Sequence, residues 1–345
     1  MRIAFVGSLP AAAVFPIELV REHYRRGNHP APWVQGLLPA LAATSGFKLR
    51  VILVQRAILR PCLVERDGVE YQGVPYHLPE RSNIRLFHLP KSLVYRTALR
   101  QFQPDLVHAF GMETGSGTIA LRSGFPVSCF VQGILEKLYP LFPPRALGEV
   151  AAERWCESRA VRRIRWFVAE NEWAREWVLS CNPAARVTLI PHSLRNDFLA
   201  KAAPTYEKRV LSVGGLTRIK GMDTIIKAFA RIKDKEAKLC LVGTGPLMQE
   251  LKKLAQSLGV GERVEFTGNL DTERVIAQMN RASVFVVASR VDTSPNVLSE
   301  AHAIGLPVIG TKGGGIPEMI EEGLDGYQVE VDGFEEMALR MDHLL

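Results

Sequence analysis

Two carboxylates in the last sixth of the chain have the type and spacing of a ligand-binding pair. Asp292 and Glu300 are separated by seven residues, with Pro295 and Asn296 between them. A strand-like run precedes Asp292, and the pattern after Asn296 predicts a helix that carries Glu300 on its second turn. Both carboxylates can then face one site beside the helix N-terminus, where carboxylates bind sugar hydroxyls and amides bind phosphate. The residues alone also allow a loop or capping role for Asp292 and a structural salt bridge for Glu300.

A second group combines glycine with positive charge. A strand-like run is followed by Gly214 and Gly215, and then by Arg218 and Lys220 just before a predicted helix. Glycine lets the backbone approach a ligand, and two cations beside a helix N-terminus favour a pyrophosphate. The alternative is an ordinary strand–helix turn with solvated basic residues.

Two further glycine turns follow strand-like runs. Val242–Pro246 contains Gly245, but Met248 stands where the dinucleotide-binding fingerprint requires glycine. This turn either contacts a nucleotide or is a tight turn without a ligand. Gly310–Glu318 contains three consecutive glycines, which predicts backbone amides free to approach an anion or, alternatively, a flexible turn.

The elements that must position these residues alternate in type along the chain. Short apolar runs alternate with amphipathic segments of helical length, which is typical of parallel sheets with right-handed crossovers. The alternation occurs twice, on either side of a polar segment at 195–208. We therefore predict an α/β fold of two Rossmann-like, doubly wound parallel-sheet domains, 1–200 and 201–345, which face a cleft. Ligands of such sheets bind at the carboxyl ends of the strands.

The predicted elements fall into two series. The predicted strands are Ile3–Val6, Leu49–Val54, Leu106–Ala109, Val127–Val131, Trp166–Ala169, Val187–Ile190, Val210–Val213, Lys238–Val242, Val264–Thr267, Val284–Ala288, Pro307–Gly310 and Gly326–Val329. The predicted helices are Trp33–Ala43, Leu93–Phe102, Arg145–Ile164, Gly221–Arg231, Pro246–Leu258, Asp271–Ala282 and Asn296–Ile304.

The composition excludes several classes of protein. Hydrophobic residues make up 47% of the chain and charged residues 23%, which is typical of a soluble globular protein. No apolar run approaches the roughly 18 residues of a membrane span, and the first residues resemble a strand and not a signal peptide. We therefore predict a cytoplasmic protein. The five cysteines lie far apart, so neither a zinc site nor disulfides are predicted.

Positive charge is concentrated in the N-terminal domain. Residues 1–200 carry 25 Lys and Arg against 16 Asp and Glu, whereas residues 201–345 carry 18 against 20. Several arginines and tryptophans cluster at 155–177, which predicts either a face that rests on an anionic membrane or core tryptophans beside solvated arginines. No nucleic-acid-binding motif accompanies the charge, so nucleic acid is not a predicted partner.

The four chemistry-bearing segments occur in an order that resembles glycosyltransferase family 4, the retaining enzymes of GT-B fold. The resemblance covers most of residues 208–330. In the N-terminal half it is looser, and rests on Pro104–Ala109 and Leu189–Ser193. The matching segments are Gly214–Gly221, Val242–Pro246, Phe266–Leu270, Asp292–Glu300 and Pro307–Glu318.

This resemblance implies a nucleotide-sugar donor, a glycan or lipid-linked acceptor, and roles for individual residues. Lys220 would contact the donor diphosphate, Glu300 the ribose hydroxyls and Asp292 the transferred sugar. His108 would contribute a catalytic side chain from the N-terminal domain, or alternatively serve a structural role at the end of its strand. No metal or other cofactor is expected, because fixed cations and amides would stabilise the leaving diphosphate. The remaining donor-binding residues would be Gly214, Gly215, Arg218, Gly245, Gly268, Asn296, Val297 and Leu298.

The chain departs from the family pattern at several positions. Gly215 replaces the arginine that usually contacts phosphate, and Arg218 could substitute from the other side of the turn. Asp292 replaces a glutamate of the family pattern. The family often has two histidines, two positions apart, and this chain keeps the first as His108 but has Phe110 in place of the second. The chain ends at a Leu-Leu pair beyond which family members continue, which predicts missing terminal helices.

These departures keep a second function open. A donor-binding but weakly catalytic subunit of a glycosyltransferase complex would tolerate Gly215 and Phe110. A nicotinamide-dependent dehydrogenase is disfavoured, because Ser8, Leu9 and Pro10 follow Gly7 where glycines are required.

Overall fold

The computed structural model describes residues 1–7, 9–22, 32–44, 46–142, 147–191, 194 and 196–345. The chain folds into two compact units, Met1–Ser193 and Leu194–Leu345. The start of the predicted helix at Arg145 and the end of the Leu189–Ser193 segment lie outside the described residues. In the described part of the chain, no helix is long and apolar enough to cross a membrane.

The first unit contains an eight-stranded sheet in the order β3-β4-β2-β1-β5-β6-β7-β8. Its neighbouring strands are parallel except for the edge pair β3–β4. The bounds of these strands are β1 Arg2–Val6, β2 Lys48–Gln55, β3 Cys62–Arg66, β4 Val69–Pro75, β5 Leu106–Phe110, β6 Val127–Phe130, β7 Trp166–Ala169 and β8 Arg186–Leu189. The bounds of its helices are α1 Ala11–Val14, α2 Pro32–Ala42, α3 Glu80–Arg85, α4 Leu89–Phe102, α5 Ser116–Leu121, α6 Leu135–Leu138, α7 Leu147–Val161 and α8 Glu172–Cys181.

The β3–β4 hairpin is absent from the predicted elements. Asp67 and Gly68 form its two-residue turn, and both have positive φ, 51° and 74°. An Asp-Gly turn between alternating runs is a recognised hairpin signal. The prediction of a purely parallel first sheet is therefore wrong at this edge, while the prediction of two doubly wound α/β sheets is confirmed.

The second unit contains a fully parallel six-stranded sheet in the order β11-β10-β9-β12-β13-β14. Counted within the unit, this is the Rossmann order 3-2-1-4-5-6, and the chain changes direction across the sheet between β9 and β12. The strands are β9 Arg209–Val213, β10 Lys238–Val242, β11 Val264–Gly268, β12 Val284–Val287, β13 Val308–Thr311 and β14 Gly326–Val329. The helices are α9 Asn196–Ala200, α10 Met222–Phe229, α11 Met248–Ser257, α12 Thr272–Arg281, α13 Asn296–Ile304 and α14 Phe334–Leu344.

The sheet of the second unit is covered on both faces by apolar side chains. One cluster contains Ile225 and Phe229 of α10 together with Met337 and Met341 of α14. The cluster on the other face contains Leu298 of α13. Phe198 of α9 is fully buried in that second cluster. Residues 196–200 therefore pack with the second unit.

Candidate functional site

The predicted donor residues lie at one edge of the second sheet. Lys220 follows β9, and Asp292 follows β12. These two strands are neighbours in the sheet, and their carboxyl ends flank the point where the strand order reverses. Ligands of open α/β sheets bind in the crevice at that point.

Lys220 and Asp292 form an ion pair. Their Nζ and Oδ2 atoms are 2.6 Å apart, and their side chains are 33% and 17% exposed. The Ser289 hydroxyl also donates to Asp292 Oδ2, at 3.3 Å. The structure thus brings together the cation predicted for the diphosphate and the carboxylate predicted for the sugar. Asp292 does not cap α13, whose N-cap residue, Pro295, makes no side-chain cap hydrogen bond.

Glycine lets the loops of this edge approach one another closely. A side chain at Gly221 would lie 2.0 Å from the carbonyl oxygen of Ala288. A side chain at Gly314 would lie 2.1 Å from the carbonyl oxygen of Asp292, and both glycines have positive φ. The Gly315 N–H donates to that same carbonyl at 2.9 Å. The prediction that the three glycines leave their amides free is therefore wrong at Gly315.

The N-terminus of α13 is next to Asp292. Asn296, Val297 and Leu298 form its first turn, where the backbone N–H groups of a helix lack the full set of intrahelical acceptors. The Leu298 N–H donates to the Pro295 carbonyl at 2.9 Å. Glu300 is buried one turn further along, 8% exposed. The Leu298 N–H, predicted to bind the donor, is therefore already engaged, and what favours an anion at this turn is the dipole of the helix N-terminus.

Gly245 lies in the loop after β10, and Gly268 is the last residue of β11. The Gly243 N–H donates to the Gly268 carbonyl at 2.9 Å. A side chain at Gly245 would lie 2.3 Å from the carbonyl oxygen of Leu216. The loops after β9 and β10 and the end of β11 are thus joined by backbone contacts. Gly245 allows close packing at the carboxyl edge, whereas Gly268 has open space around it and a positive φ of 72°, which favours glycine.

Gly214 and Gly215 differ in the space around them. Gly214 donates its N–H to Val242, which fixes the start of the turn. A side chain at Gly215 would meet no heavy atom nearer than 3.8 Å, and the φ of Gly215 is not positive. Arg218 is exposed three residues later, and none of the described residues forms an ion pair with its guanidinium. The turn therefore has room for a cation at 215 and already carries one at 218.

His108 lies in the middle of β5 in the first unit. Its Nδ1 is 2.8 Å from the Ser128 hydroxyl, and its ring makes edge contacts with Phe5 and Phe110. Burial lowers the pKa of His108 to about 4, so the imidazole is neutral at pH 7. Phe110, which replaces the family's second histidine, stacks on Phe5 with ring centroids 5.4 Å apart.

Two glutamates of the first unit, the half-buried Glu113 and the buried Glu157, are absent from the predicted site. Burial raises the pKa of Glu113 to about 7 and that of Glu157 to about 8. Glu157 accepts hydrogen bonds from the backbone N–H groups of Leu135 and Glu136. Glu113 Oε2 is buried without a hydrogen-bond partner among the described residues. A glutamate three residues beyond a strand carries no sequence signal for such burial.

Arg290 is also absent from the predicted site. It stands two residues before Asp292, and its guanidinium lies between Asp223 and Asp332. Asp332 precedes α14, 42 residues further along the chain than Arg290, so no local pattern indicates the contact. Within the described residues, no group of three or more histidines, cysteines or carboxylates is arranged to hold a metal ion.

Both halves of the chain match glycosyltransferase families. Residues 30–192 match the glycosyl transferase 4-like domain, and residues 195–345 match the glycosyl transferases group 1. N-acetyl-alpha-D-glucosaminyl L-malate synthase of Bacillus anthracis is 36% identical over 126 residues, which cover 36% of this chain and 32% of that protein. A GDP-mannose-dependent alpha-(1-6)-phosphatidylinositol monomannoside mannosyltransferase of Mycobacterium tuberculosis is 32% identical over 173 residues, or 48% and 43% of the two chains. In these matches the chain spans less than half the length of either curated relative.

Solved structures match over nearly the whole chain. Sucrose-phosphate synthase from Thermosynechococcus elongatus has a TM-score of 0.80 at 20% identity, over 99% of this chain and 89% of that one. Anabaena HepE in complex with UDP-glucose has a TM-score of 0.69 at 16% identity, over the same shares. At these identities the likeness shows the fold alone. The fold is therefore GT-B, and the chain belongs to the glycosyltransferases, with a 4-like domain followed by a group 1 domain.

Proposed function

We propose that this chain transfers a sugar from a UDP- or GDP-sugar to a glycan or lipid-linked acceptor, with retention of configuration and without a metal ion. A role in cell-surface polysaccharide or glycolipid synthesis fits the relatives, one of which is named for a GDP-mannose donor and a phosphatidylinositol mannoside acceptor. HepE was solved with UDP-glucose.

The observation that carries this proposal is the juxtaposition of Lys220, Asp292 and the N-terminus of α13. The cation and the helix amides lie at the strand-order reversal, where an anionic ligand binds in folds of this kind. Asp292 is the one carboxylate in contact with the Lys220 ammonium among the described residues. A donor would therefore present its diphosphate to Lys220 and its sugar hydroxyls to Asp292.

The chemistry requires stabilisation of the nucleoside diphosphate as it leaves. Lys220 and the first-turn amides of α13 would hold the negative charge that develops on the leaving oxygen. Glu300, buried on the second turn, would hold the ribose hydroxyls. The acceptor oxygen would form its bond to the anomeric carbon on the face from which the diphosphate leaves, as the bond from that carbon to the diphosphate oxygen breaks. The hydroxyl proton would pass to the leaving diphosphate, so that retention requires no protein nucleophile.

We further propose that the first unit works at an anionic membrane surface. Trp155 and Trp166 are exposed, 46% and 44%, with the guanidinium groups of Arg159 and Arg165 at 4.8 and 5.5 Å from their rings. Trp177, by contrast, is a core residue at 6% exposure. Exposed indole beside arginine suits a headgroup region. Absence of cosedimentation with anionic liposomes at low salt would overturn this part of the proposal.

A weakly catalytic donor-binding subunit is the second candidate. It is favoured by Gly215, which leaves a phosphate cation missing, and by the ion pair that already neutralises Lys220. Turnover by the purified chain alone would exclude it.

A nucleotide-sugar screen tests the proposal. Thermal shift and nucleotide release are measured with UDP-, GDP- and ADP-sugars, without added metal, on wild type and Glu300→Ala. The nucleotide sugars of one base should raise the free energy of unfolding of wild type by a few kcal/mol at saturation. The same ligands should leave the free energy of unfolding of Glu300→Ala unchanged. Release of nucleoside diphosphate from wild type would support catalysis. No stabilisation by any donor would overturn the proposed function.

A further inference from the structure

The Arg290 guanidinium donates four hydrogen bonds in the second unit and makes one further close contact to a carboxylate oxygen. Nε and Nη2 face the two oxygens of Asp332, at 3.2 and 2.7 Å. Nη1 and Nη2 face the two oxygens of Asp223, at 3.1 and 2.9 Å. Nη1 also donates to the backbone carbonyl of Arg218. The planar guanidinium thus donates four hydrogen bonds and holds Asp332 Oδ1 in a close ion-pair contact.

These acceptors belong to two stretches of the chain, the connection from β9 into α10 and the segment before α14. Arg218 lies in the turn that carries Lys220, Asp223 lies in the first turn of α10, and Asp332 lies before α14. Arg290 itself lies in the loop that carries Asp292. The Arg290 backbone N–H adds a bond of 2.7 Å to the Ile219 carbonyl.

We call Arg290 together with the Arg218 carbonyl, Asp223 and Asp332 the Arg290 clamp. The clamp is partly buried, and Asp332 is held by a further contact. The Arg290 side chain is 17% exposed. Asp332 has a positive φ of 61° and accepts a second hydrogen bond, from Thr224 at 2.9 Å. Burial alone would raise the pKa of Asp223, but the Arg290 guanidinium outweighs burial and lowers it. The positive φ of Asp332 is a strained backbone conformation, and the contacts of its side chain to Thr224 and Arg290 hold it in place.

We propose that Arg290 is a positioning residue that fixes the Lys220 turn against the Asp292 loop and so sets the distance between the diphosphate and sugar contacts of the donor site. This inference rests on the proposed function. Arginine is required here because a lysine ammonium is a point charge and cannot serve two carboxylates and a carbonyl in one plane.

Arg290→Lys is the test, with Arg281→Lys as the matched control. Arg281 also faces both oxygens of one carboxylate, Glu207, at 2.7 and 3.0 Å, but on the exposed surface outside the donor loops. Hydrogen exchange of the unliganded full chain should become about tenfold faster at 216–223 and 288–293 in Arg290→Lys, and stay unchanged in strand β10. Arg281→Lys should leave both donor-loop segments as in wild type.

Kinetics provide the second readout. Measured well below the melting temperature, kcat/KM for the donor should fall about 100-fold in Arg290→Lys, because a displacement of about 1 Å at a reacting centre has that effect. Arg281→Lys should stay within about twofold. A lower melting temperature with unchanged kcat/KM would overturn the proposal, as would faster exchange spread evenly over the second unit.

A second variant covers the case in which Arg290→Lys does not fold. Asp332→Asn keeps Arg290 and removes one of its charged partners, so exchange at 216–223 and 288–293 should rise in the same direction but less. Unchanged exchange there would overturn the clamp. If wild type binds no nucleotide sugar, the proposed function fails, while the exchange measurement still decides whether Arg290 positions the two loops.

Discussion

The carboxyl edges of the two sheets carry charge in different ways. At the edge of the second sheet, Lys220 and Asp292 form a partly exposed ion pair beside a helix N-terminus. Near the edge of the first sheet, burial shifts the pKa of Glu113 to about 7 and that of His108 to about 4, each towards its neutral form. The second edge has the charge arrangement that the proposed anionic donor requires, whereas the first keeps His108 and Glu113 largely out of water. The difference matches a donor that carries a diphosphate and an acceptor that presents hydroxyls.

The largest expected effect is at Lys220. Lys220→Ala should lower kcat/KM for the donor by about 100- to 1000-fold, because it removes a fixed charge at the leaving diphosphate. Steady-state kinetics on the purified chain measure this. Lys208→Ala is the control, since Lys208 pairs with Asp234 and Glu236 on the surface of the same unit. Loss of less than about threefold in Lys220→Ala would show that the second edge does not work through this cation.

Glu113 tests the other side of the comparison through stability. Its pKa is raised by burial from 4.5 to about 7, so the folded state binds more protons than the unfolded state between these values. Stability from this group is therefore full below about pH 4.5 and is lost as pH rises through about 7. Glu113→Gln, neutral at every pH, should be more stable than wild type at pH 8 by on the order of 1 to 3 kcal/mol, and similar at pH 5.

Urea denaturation at the two pH values measures the Glu113 effect. The exposed Glu65 of β3 provides the control, and Glu65→Gln should show no such pH-dependent difference. A Glu113→Gln protein that is less stable than wild type at both pH values would show that the carboxylate is held charged by contacts. The contrast between the two edges would then disappear.

Much of the second unit could be predicted from sequence, because its parallel strands are short apolar runs and its site residues follow them directly. The strand Lys238–Val242 and the helix Asn296–Ile304 agree with their predicted bounds. The Arg290 clamp could not be predicted, because Asp332 is distant in sequence and an arginine beside Asp292 looks like a solvated loop residue. The burial of Glu113 depends on tertiary packing of two loops, for which periodicity has no signal.

Asp292 either contacts the transferred sugar or serves only as the ion-pair partner of Lys220, and an asparagine variant separates these two roles. Asp292→Asn should lower the transfer rate but strengthen the binding of free UDP or GDP by about three- to tenfold, because the diphosphate no longer competes with a carboxylate for the ammonium. Isothermal titration and steady-state kinetics measure the two quantities separately. Parallel loss of nucleotide affinity and rate would instead mean that Asp292 holds Lys220 in its working position.

The smallest effect is expected from Gly215→Arg, which restores the positive charge that the family has at this position. Gly215→Arg fits the observed turn, since a side chain there meets no heavy atom nearer than 3.8 Å and the backbone φ is not positive. A second cation at the phosphates should strengthen donor binding by about three- to tenfold, or about 1 kcal/mol, and more so at low salt. In an Arg218→Ala background the gain should be larger, because Arg218 would no longer supply part of that charge. Equal gains in both backgrounds would show that Arg218 does not reach the phosphates, and no gain in either would mean that the diphosphate lies away from this turn.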